Sequence, residues 1–297
     1  MYDPDVSQMF DQVPLANWNG TQMPLSEAKV SVLDRAFLFG DAIYEVLRVY
    51  GGKPFLFDDH IARLRRNFEK LQLPADADII AQRVRETIAA SDVTEGTVYI
   101  QVTRGVAPRI HRYPATPPTP SELIYVSHFK DPYQELRKVG TRVIILEDLR
   151  WKRCDIKSVN LLANCMAAQT AYEAGCPEAL LVDEKDRLIE GSRTSLFGVR
   201  DGRILTTPLG QNILPGITRK LLIQLAGECN VEISEAMIYR NDLPKLDELF
   251  ITGTTTEILP VIQVEDQTIG DGTVGPVVSQ LITAYAKTIE RFRHSGG

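Results

Sequence analysis

The stretch AIYEVLRVYGGKPFLF, residues 42–57, decides the fold. Its first nine residues are rich in β-branched and aromatic side chains and predict a strand, and Gly51-Gly52 predicts a tight turn into a second strand. Two other turn sequences, DEKDR at 183–187 and RDGR at 200–203, also separate strand-like runs. Because hairpins join the strands as often as helices do, the chain is predicted to be α+β, with mixed or antiparallel sheets.

The residues around this hairpin predict a first domain of strands and helices. AKVSVLD at 28–34 predicts a strand, and RAFLFGD at 35–41 predicts a loop. Asp58 is expected to cap the N-terminus of a helix whose apolar side chains recur at helical spacing, namely Ile61, Leu64, Phe68 and Leu71. A second helix at 76–90 and strands at 96–105 and 121–129 complete this domain.

Proline content and a break in the pattern suggest where the domains meet. HRYPATPPTPS at 111–121 holds four prolines and is expected to form an exposed, stiff loop. The polar segment KDPYQELR, which begins at Lys130, gives domain limits of 1–130, a linker at 131–136 and a second domain at 137–297. Residues 1–16 are expected to be an extension. The second domain is predicted to mix short strands with helices at 160–175 and 216–229.

Composition excludes several classes of function. The net charge of −6 argues against nucleic acid as a partner, because phosphate binding depends on clustered Lys and Arg. An acidic, polar N-terminus and the lack of an 18-residue apolar run predict a cytoplasmic protein with no membrane partner. The four cysteines form no CxxC pair and have no histidine at metal spacing, so we expect reduced thiols and no metal site.

One motif is expected to be a decoy. Gly270, Gly272 and Gly275 match the GxGxxG string of dinucleotide-binding proteins, and a helix is expected after them. That string must open a βαβ unit, however, and only 22 residues remain after Gly275. A simple turn is the better interpretation.

Five short features together indicate one kind of chemistry. Lys157 precedes an apolar helical run, Glu190 ends a strand, and Thr218 opens a helix behind Pro215-Gly216, where free N–H groups attract an anion. A Gly-Thr-Thr turn at Thr254 could cradle phosphate oxygens, and Arg63 could bind a phosphate through two hydrogen bonds. Singly, each is more simply a surface charge or a helix cap. Together they supply the imine partner, ring counter-ion and phosphate ligands that pyridoxal 5′-phosphate (PLP) needs.

Seven strings also resemble those of a known family. They are FGDAIYEVLRVYGGKPF, DDHIARL, VTRGVAPRIH, RCDIKSVNLL, EGSRTSLFG, ILPGITR and TGTTTEILPV. The chain resembles the fold-type IV PLP enzymes from about Asn17 to its C-terminus. This resemblance implies a two-domain enzyme with a smaller N-terminal α/β domain, a larger C-terminal pseudo-barrel α/β domain, and the cofactor between them.

The resemblance also implies roles for individual residues. Lys157 would hold the cofactor covalently and act as the catalytic residue, and the remaining cofactor-binding residues would be Glu190, Arg63, Leu214, Ile217, Thr218, Thr254, Thr255 and Ser192. Within the group, the D-amino acid aminotransferases are the most similar, because Tyr44, Arg109 and His111 match their residues for the substrate α-carboxylate. Leu162 replaces a tyrosine of the branched-chain enzymes.

Arg193 departs from the pattern, since many D-amino acid enzymes have a small hydroxyl residue there. We count it among the expected substrate-binding residues, where it could bind a second carboxylate, alter how the α-carboxylate is held, or point away. The resemblance further implies a homodimer whose active site is completed by the partner subunit.

The implied reaction is a ping-pong exchange of the amino group between D-amino acids such as D-alanine and 2-oxo acids such as 2-oxoglutarate or pyruvate. A branched-chain L-amino acid or R-selective amine transaminase is the main alternative. An aminodeoxychorismate lyase is less favoured, and a non-catalytic phosphate-binding protein is the alternative from another class.

Overall fold

The structure, a computed structural model, describes residues 14–294. Those residues form two compact units, which we call the N-terminal unit (14–130, 156–160 and 292–294) and the C-terminal unit (131–155 and 161–291). Residues 1–13 of the expected N-terminal extension lie outside the described residues. Its last two positions, Leu15 and Ala16, belong instead to the first strand.

The N-terminal unit contains an antiparallel sheet of six strands in the order β2-β1-β6-β5-β3-β4. The strands are β1 (Leu15–Trp18), β2 (Thr21–Pro24), β3 (Ala42–Tyr50), β4 (Lys53–Pro54), β5 (Glu95–Thr103) and β6 (Glu122–His128). The long central pair β3 and β5 is in register from Ala42 opposite Thr103 to Tyr50 opposite Glu95. The predicted hairpin is confirmed, because β3 pairs with β4 from Tyr50 opposite Lys53 to Val49 opposite Pro54, with Gly51 and Gly52 both at positive φ in the turn.

One face of this sheet is covered by α2 (Phe57–Leu71) and α3 (Ala77–Ala90). Ile61, Leu64 and Phe68 are buried against strand residues such as Leu47 and Ile100, as their spacing predicts. The expected cap at Asp58 is wrong, because the helix begins at Phe57 after Leu56 at positive φ. Asp58 lies in the first turn, where its charge suits the helix dipole.

The prediction for residues 28–41 is also wrong. Residues 28–33 form no strand, and Val30 and Val32 are exposed rather than alternately buried. RAFLF instead forms α1 (Arg35–Phe39), whose N-terminus is capped by the Asp34 side chain through the Ala36 amide at 2.8 Å. Asp34 is fully buried and also accepts hydrogen bonds from Thr103 and Ser121. Capping thus outweighs the strand-like alternation.

The C-terminal unit is built on a mixed sheet of ten strands in the order β12-β11-β10-β14-β15-β7-β8-β9-β13, with β16 paired to β15. The strands are β7 (Thr141–Glu147), β8 (Ala179–Val182), β9 (Arg187–Gly191), β10 (Ser195–Arg200), β11 (Arg203–Thr206), β12 (Ile233–Glu235), β13 (Ile238–Tyr239), β14 (Glu248–Gly253), β15 (Glu257–Val264) and β16 (Gln267–Thr268). Both predicted hairpins are present, between β8 and β9 and between β10 and β11.

The helices of this unit are α4 (Leu136–Val139), α5 (Leu162–Glu173), α6 (Ile217–Glu228) and α7 (Pro276–His294, whose last residues belong to the N-terminal unit). Stacked rings of Phe197 and Phe250, 5.0 Å apart, lie at the centre of the sheet. No helix in the span 14–294 combines the length and the apolar character needed to cross a membrane.

The N-terminus of α7 explains why the GxGxxG string at 270–275 is not a dinucleotide-binding motif. Residues 270–275 form turns, as expected. The buried Glu248 of β14 accepts hydrogen bonds from the Val277 amide at 2.9 Å and the Val278 amide at 2.8 Å. A carboxylate of the protein therefore occupies the position at which a dinucleotide phosphate would bind.

We predict that Glu248→Ala lowers the free energy of unfolding by about 2 kcal/mol, because two buried amides lose their acceptor. Chemical denaturation monitored by circular dichroism would measure this change. Glu290→Ala, which removes an exposed glutamate from the same helix, is the control and should change stability by less than about 0.5 kcal/mol. Equal effects of the two substitutions would contradict the capping role of Glu248.

Candidate active site

Lys157 lies in the segment 156–160, which pairs with the start of β3. The Tyr44 amide donates to the Lys157 carbonyl oxygen at 3.0 Å, and Ser158 forms an isolated bridge with Ile43. The Lys157 Nζ atom lies 4.1 Å from the centroid of the Tyr44 ring. Tyr44 therefore fixes both the backbone and the side chain of the half-buried lysine.

The C-terminal end of α1 helps to hold the same segment. Gly40 adopts the left-handed conformation, and its carbonyl oxygen accepts a hydrogen bond from Asn160 Nδ2 at 3.2 Å. A Cβ atom at position 40 would lie 2.4 Å from Asn160 Oδ1. Conformation and close approach thus both require glycine here.

Arg63 lies on α2 in a buried cluster with Glu45 and His60. Its Nε and Nη2 atoms donate to the two Glu45 carboxylate oxygens at 2.7 and 2.8 Å, and His60 Nδ1 lies 2.8 Å from Glu45 Oε2. Burial opposes ionisation of Glu45, but Arg63 and His60 hold its pKa well below the usual value. Burial lowers the pKa of His60, so a neutral imidazole donates to the carboxylate.

Glu190 is buried at the end of β9 beside an arginine. Arg150 Nη1 donates to Glu190 Oε1 at 2.5 Å, and the Leu214 amide is 3.3 Å from both carboxylate oxygens. Arg150 is itself fixed by Asp148 at 2.8 Å and by the Asn212 carbonyl at 3.2 Å. Burial raises the pKa of Glu190 to about 7, although Arg150 opposes the shift. The Glu190 carboxyl can therefore gain or lose a proton near neutral pH.

The turn after Glu190 is organised by the buried Glu178. One Glu178 oxygen accepts hydrogen bonds from the Ser192 amide, at 3.1 Å, and from the Ser192 hydroxyl, while the other accepts from Thr194 Oγ1 at 2.9 Å. Arg193 Nη2 donates to the Tyr133 hydroxyl at 3.0 Å and the Pro177 carbonyl at 2.9 Å. These contacts hold the Arg193 guanidinium within its own unit.

Two further groups of polar atoms belong to the C-terminal unit, the first at the start of α6. Gly216 is its N-cap, and no side chain in the described part of the chain caps this end, so the first-turn amides of Ile217 and Thr218 keep their donors for a ligand. The second group, Thr254 and Thr255, lies in the turn between β14 and β15. Within residues 14–294, the buried Thr252 Oγ1 just before that turn has no hydrogen-bond partner.

The predicted substrate residues Arg109 and His111 lie together on an exposed loop of the N-terminal unit. The Arg109 guanidinium carbon is 5.3 Å from the centroid of the Phe39 ring, and the His111 and Phe39 ring centroids are 5.4 Å apart. Phe39 thus brings the two side chains onto one aromatic surface.

Sequence reasoning missed four residues of these clusters: Glu45, His60, Arg150 and Glu178. Two signals were available. Glu45 directly follows Tyr44, and His60 lies three residues before Arg63, on the same face of a helix. The other two residues had no local signal, since their partners are 40 and 14 residues away.

Comparison with known proteins identifies the family. The family model for amino-transferase class IV matches residues 42–264. The chain is 36% identical over 274 residues to D-alanine aminotransferase of Staphylococcus haemolyticus, covering 92% of this chain and 96% of that protein. It is 38% identical over 276 residues to D-alanine aminotransferase of Bacillus licheniformis, with the same coverage.

Solved structures of related proteins agree. The branched-chain amino acid aminotransferase of Escherichia coli superposes with a TM-score of 0.87 at 25% identity, covering 94% of this chain and 95% of that one. The branched-chain enzyme of T.th., solved with pyridoxamine 5′-phosphate, superposes with a TM-score of 0.85 at 27% identity and covers 94% of each chain. The chain therefore belongs to amino-transferase class IV and is a PLP-dependent aminotransferase.

Proposed function

We propose that this aminotransferase exchanges the amino group between D-amino acids such as D-alanine and 2-oxo acids such as 2-oxoglutarate or pyruvate. One observation carries the proposal: identity to D-alanine aminotransferases is 36–38% across nearly their whole length, against 25–27% for the two branched-chain enzymes. The similarity in fold to the branched-chain enzymes supports a transaminase of either kind. Transamination of branched-chain L-amino acids is therefore the second candidate function.

The residues present have the chemistry that PLP requires. An amine at Lys157 suits an aldehyde, and the buried carboxylate of Glu190 suits a protonated ring nitrogen. Free amides at the start of α6, together with the hydroxyls at Thr254 and Thr255, suit a phosphate dianion. Bound PLP supplies an aldehyde that accepts the amino group and a ring that accepts electrons.

We assign the cofactor ligands accordingly. Lys157 would form the covalent bond, Glu190 would hold the ring nitrogen, and Leu214 would orient Glu190 through its amide. The phosphate ligands would be Arg63, Ile217, Thr218, Thr254 and Thr255. Ser192 donates its amide and hydroxyl protons to Glu178, so it would support the turn after Glu190 without donating to the phosphate. Displaced from the cofactor, the Lys157 amine would carry the proton to and from the substrate α-carbon.

Tyr44, Arg109, His111 and Arg193 are the proposed substrate-binding residues. A carboxylate held at one fixed place allows only one enantiomer to present its α-hydrogen to Lys157, which is how such a trap would select D over L. Large apolar side chains on the Arg109 loop, on α1 and on the segment before α1 are exposed on the single chain, namely Ile110, Phe37 and Val32. Apolar surface of this kind supports a homodimer in which this loop completes the partner's active site.

We expect Lys157→Ala to abolish turnover and to let the cofactor be removed by dialysis, because the covalent link is lost. Visible absorbance after dialysis and transamination rate would measure both effects. Lys152→Ala, which removes an exposed lysine from the same loop, is the control and should leave both unchanged. A dialysed Lys157→Ala protein with full absorbance and rate would overturn the assignment.

Glu190→Gln should fold and bind cofactor but turn over about 10- to 150-fold more slowly, since a neutral amide cannot sustain the charge on the ring nitrogen. The readouts are cofactor content and the turnover number with D-alanine. Glu184→Gln, in the exposed hairpin before β9, is the matched control. If Glu190→Gln keeps the wild-type turnover number with full cofactor content, Glu190 has no role in the chemistry.

Arg109→Ala should raise the Michaelis constant for D-alanine by about 10- to 150-fold, because a charge-assisted hydrogen bond to the carboxylate is lost. Steady-state kinetics would measure it, with the nearby exposed Arg112→Ala as control and the cofactor absorbance unchanged in both. An unchanged constant in Arg109→Ala would remove this arginine from carboxylate binding.

Mixing subunits tests whether the loop serves the partner. Lys157→Ala and Arg109→Ala should each be nearly inactive at low substrate, but a mixed dimer would hold one site without either lesion and regain activity. Heterodimers that form without regaining activity would show that Arg109 serves its own subunit.

A further inference from the structure

The loop that carries Arg109 and His111 is held from inside by the buried Arg35 of α1. Arg35 Nη1 donates to the Ile110 carbonyl oxygen at 2.7 Å, and Nη2 is 3.4 Å from the His111 carbonyl oxygen. Bonds to two successive carbonyls fix the peptide planes on both sides of His111. Arg35 is only 2% exposed, whereas the side chains of the loop itself are exposed.

Asp41 fixes the direction of the Arg35 guanidinium. Asp41 Oδ2 accepts hydrogen bonds from Arg35 Nε and from Arg104 Nε, each at 2.8 Å. Arg104 donates to the carbonyls of Leu71 at 2.7 Å and Gln72 at 2.8 Å, and its guanidinium also lies 3.6 Å from the centroid of the Tyr113 ring in the loop. One carboxylate thus orients two arginines: Arg35 binds the loop backbone, and Arg104 binds the end of α2.

The Phe39 ring is the second support of the loop. The Arg35 guanidinium lies 4.7 Å from its centroid, close to the distances at which Arg109 and His111 contact the same ring. Arg35 and Phe39 belong to the same short helix, so this helix contacts both the backbone and the side chains of the loop.

We propose that Arg35 and Phe39 are positioning residues that set the spacing of Arg109 and His111 for the substrate carboxylate. This inference rests on the proposed function, in which those two side chains bind the carboxylate. An arginine needed only for folding would be satisfied by Asp41. Arg35 instead uses its remaining donors on the two carbonyls that flank His111, in a loop with four prolines that lack backbone donors of their own.

The test compares Arg35→Lys with Arg48→Lys in the PLP-bound enzyme, because Arg48 is a buried arginine of β3 that donates to the Gly96 carbonyl and has no recorded contact with the loop among the described residues. Lysine keeps the positive charge beside Asp41 but cannot bond to the carboxylate and two carbonyls at once, because it lacks a planar guanidinium. Arg35→Lys should raise the Michaelis constants for both D-alanine and pyruvate about tenfold, with cofactor affinity unchanged. Arg48→Lys also replaces a buried guanidinium that donates to a backbone carbonyl, and it should change these constants less than twofold.

A comparison of combined variants separates positioning from general damage. In a background with both Arg109→Ala and His111→Ala, Arg35→Lys should add less than a twofold rise, because both side chains that it positions are already gone. Multiplying effects, or an equal rise in Arg48→Lys, would overturn the positioning role. If the Arg35→Lys variant does not fold, the Phe39→Leu variant is tested in its place. This variant should raise both Michaelis constants about threefold, and unchanged constants would overturn the inference.

The proposed function can fail separately. If Arg109→Ala leaves the Michaelis constant for D-alanine unchanged, the carboxylate role of the loop is wrong, and the inference falls with it. If Arg109→Ala raises that constant but Arg35→Lys and Phe39→Leu do not, the proposed function stands and only the positioning role is lost.

Discussion

The pairing of residues 157–159 with the first residues of β3 is the constraint on which the account depends. Lysine side chains are long and flexible, and ordering one costs about 2 kcal/mol of side-chain entropy. Here the backbone carbonyl of Lys157 accepts from the Tyr44 amide, and the Val159 amide donates to the Ala42 carbonyl at 3.3 Å. The fixed backbone leaves only the side chain to be ordered, and the Tyr44 ring lies against its amine. The longest strand pair of the N-terminal unit thereby supplies a rigid base for one reactive group.

Two buried glutamates show how environment assigns different roles to the same side chain. Glu45 faces two guanidinium nitrogens and an imidazole, and these partners hold its pKa below the usual value despite full burial. Glu190 faces one guanidinium nitrogen and a more distant amide, and burial raises its pKa to about 7. Glu45 is therefore a permanent anion that balances Arg63. Glu190 has a pKa raised towards neutrality, and in the proposed site a protonated ring nitrogen beside it would favour its carboxylate form.

The sequence predicted the elements whose signals are local and long. The strand at 42–50, the turn at Gly51 and the apolar face of α2 all follow from periodicity within a few residues. Val30 and Val32 alternate with polar residues as in a strand, and this pattern led to the wrong prediction. The chain instead forms a turn there, in which the Asp34 amide donates to the Ser31 carbonyl. A five-residue helix such as α1 is too short to show a period at all.

The partners within the site were less predictable, since they depend on contacts between distant residues. Lys157, Glu190 and Thr218 stand out by their places at element ends. The choice of Arg150 as the partner of Glu190, or of Ile110 as the acceptor for Arg35, depends on residues 40 and 75 positions apart. Single-sequence patterns carry no information at that range. These long-range contacts nevertheless determine the charge of Glu190 and the shape of the Arg109 loop.

The handedness of the substrate is the most direct test of the central claim. The purified enzyme with bound PLP, mixed with D-alanine, L-alanine or L-leucine without a 2-oxo acid, reports the first half of the reaction through the cofactor's visible absorbance. The account predicts rapid loss of that absorbance with D-alanine and no loss with either L-amino acid on the same timescale. Loss with L-leucine and none with D-alanine would contradict it and would favour a branched-chain aminotransferase.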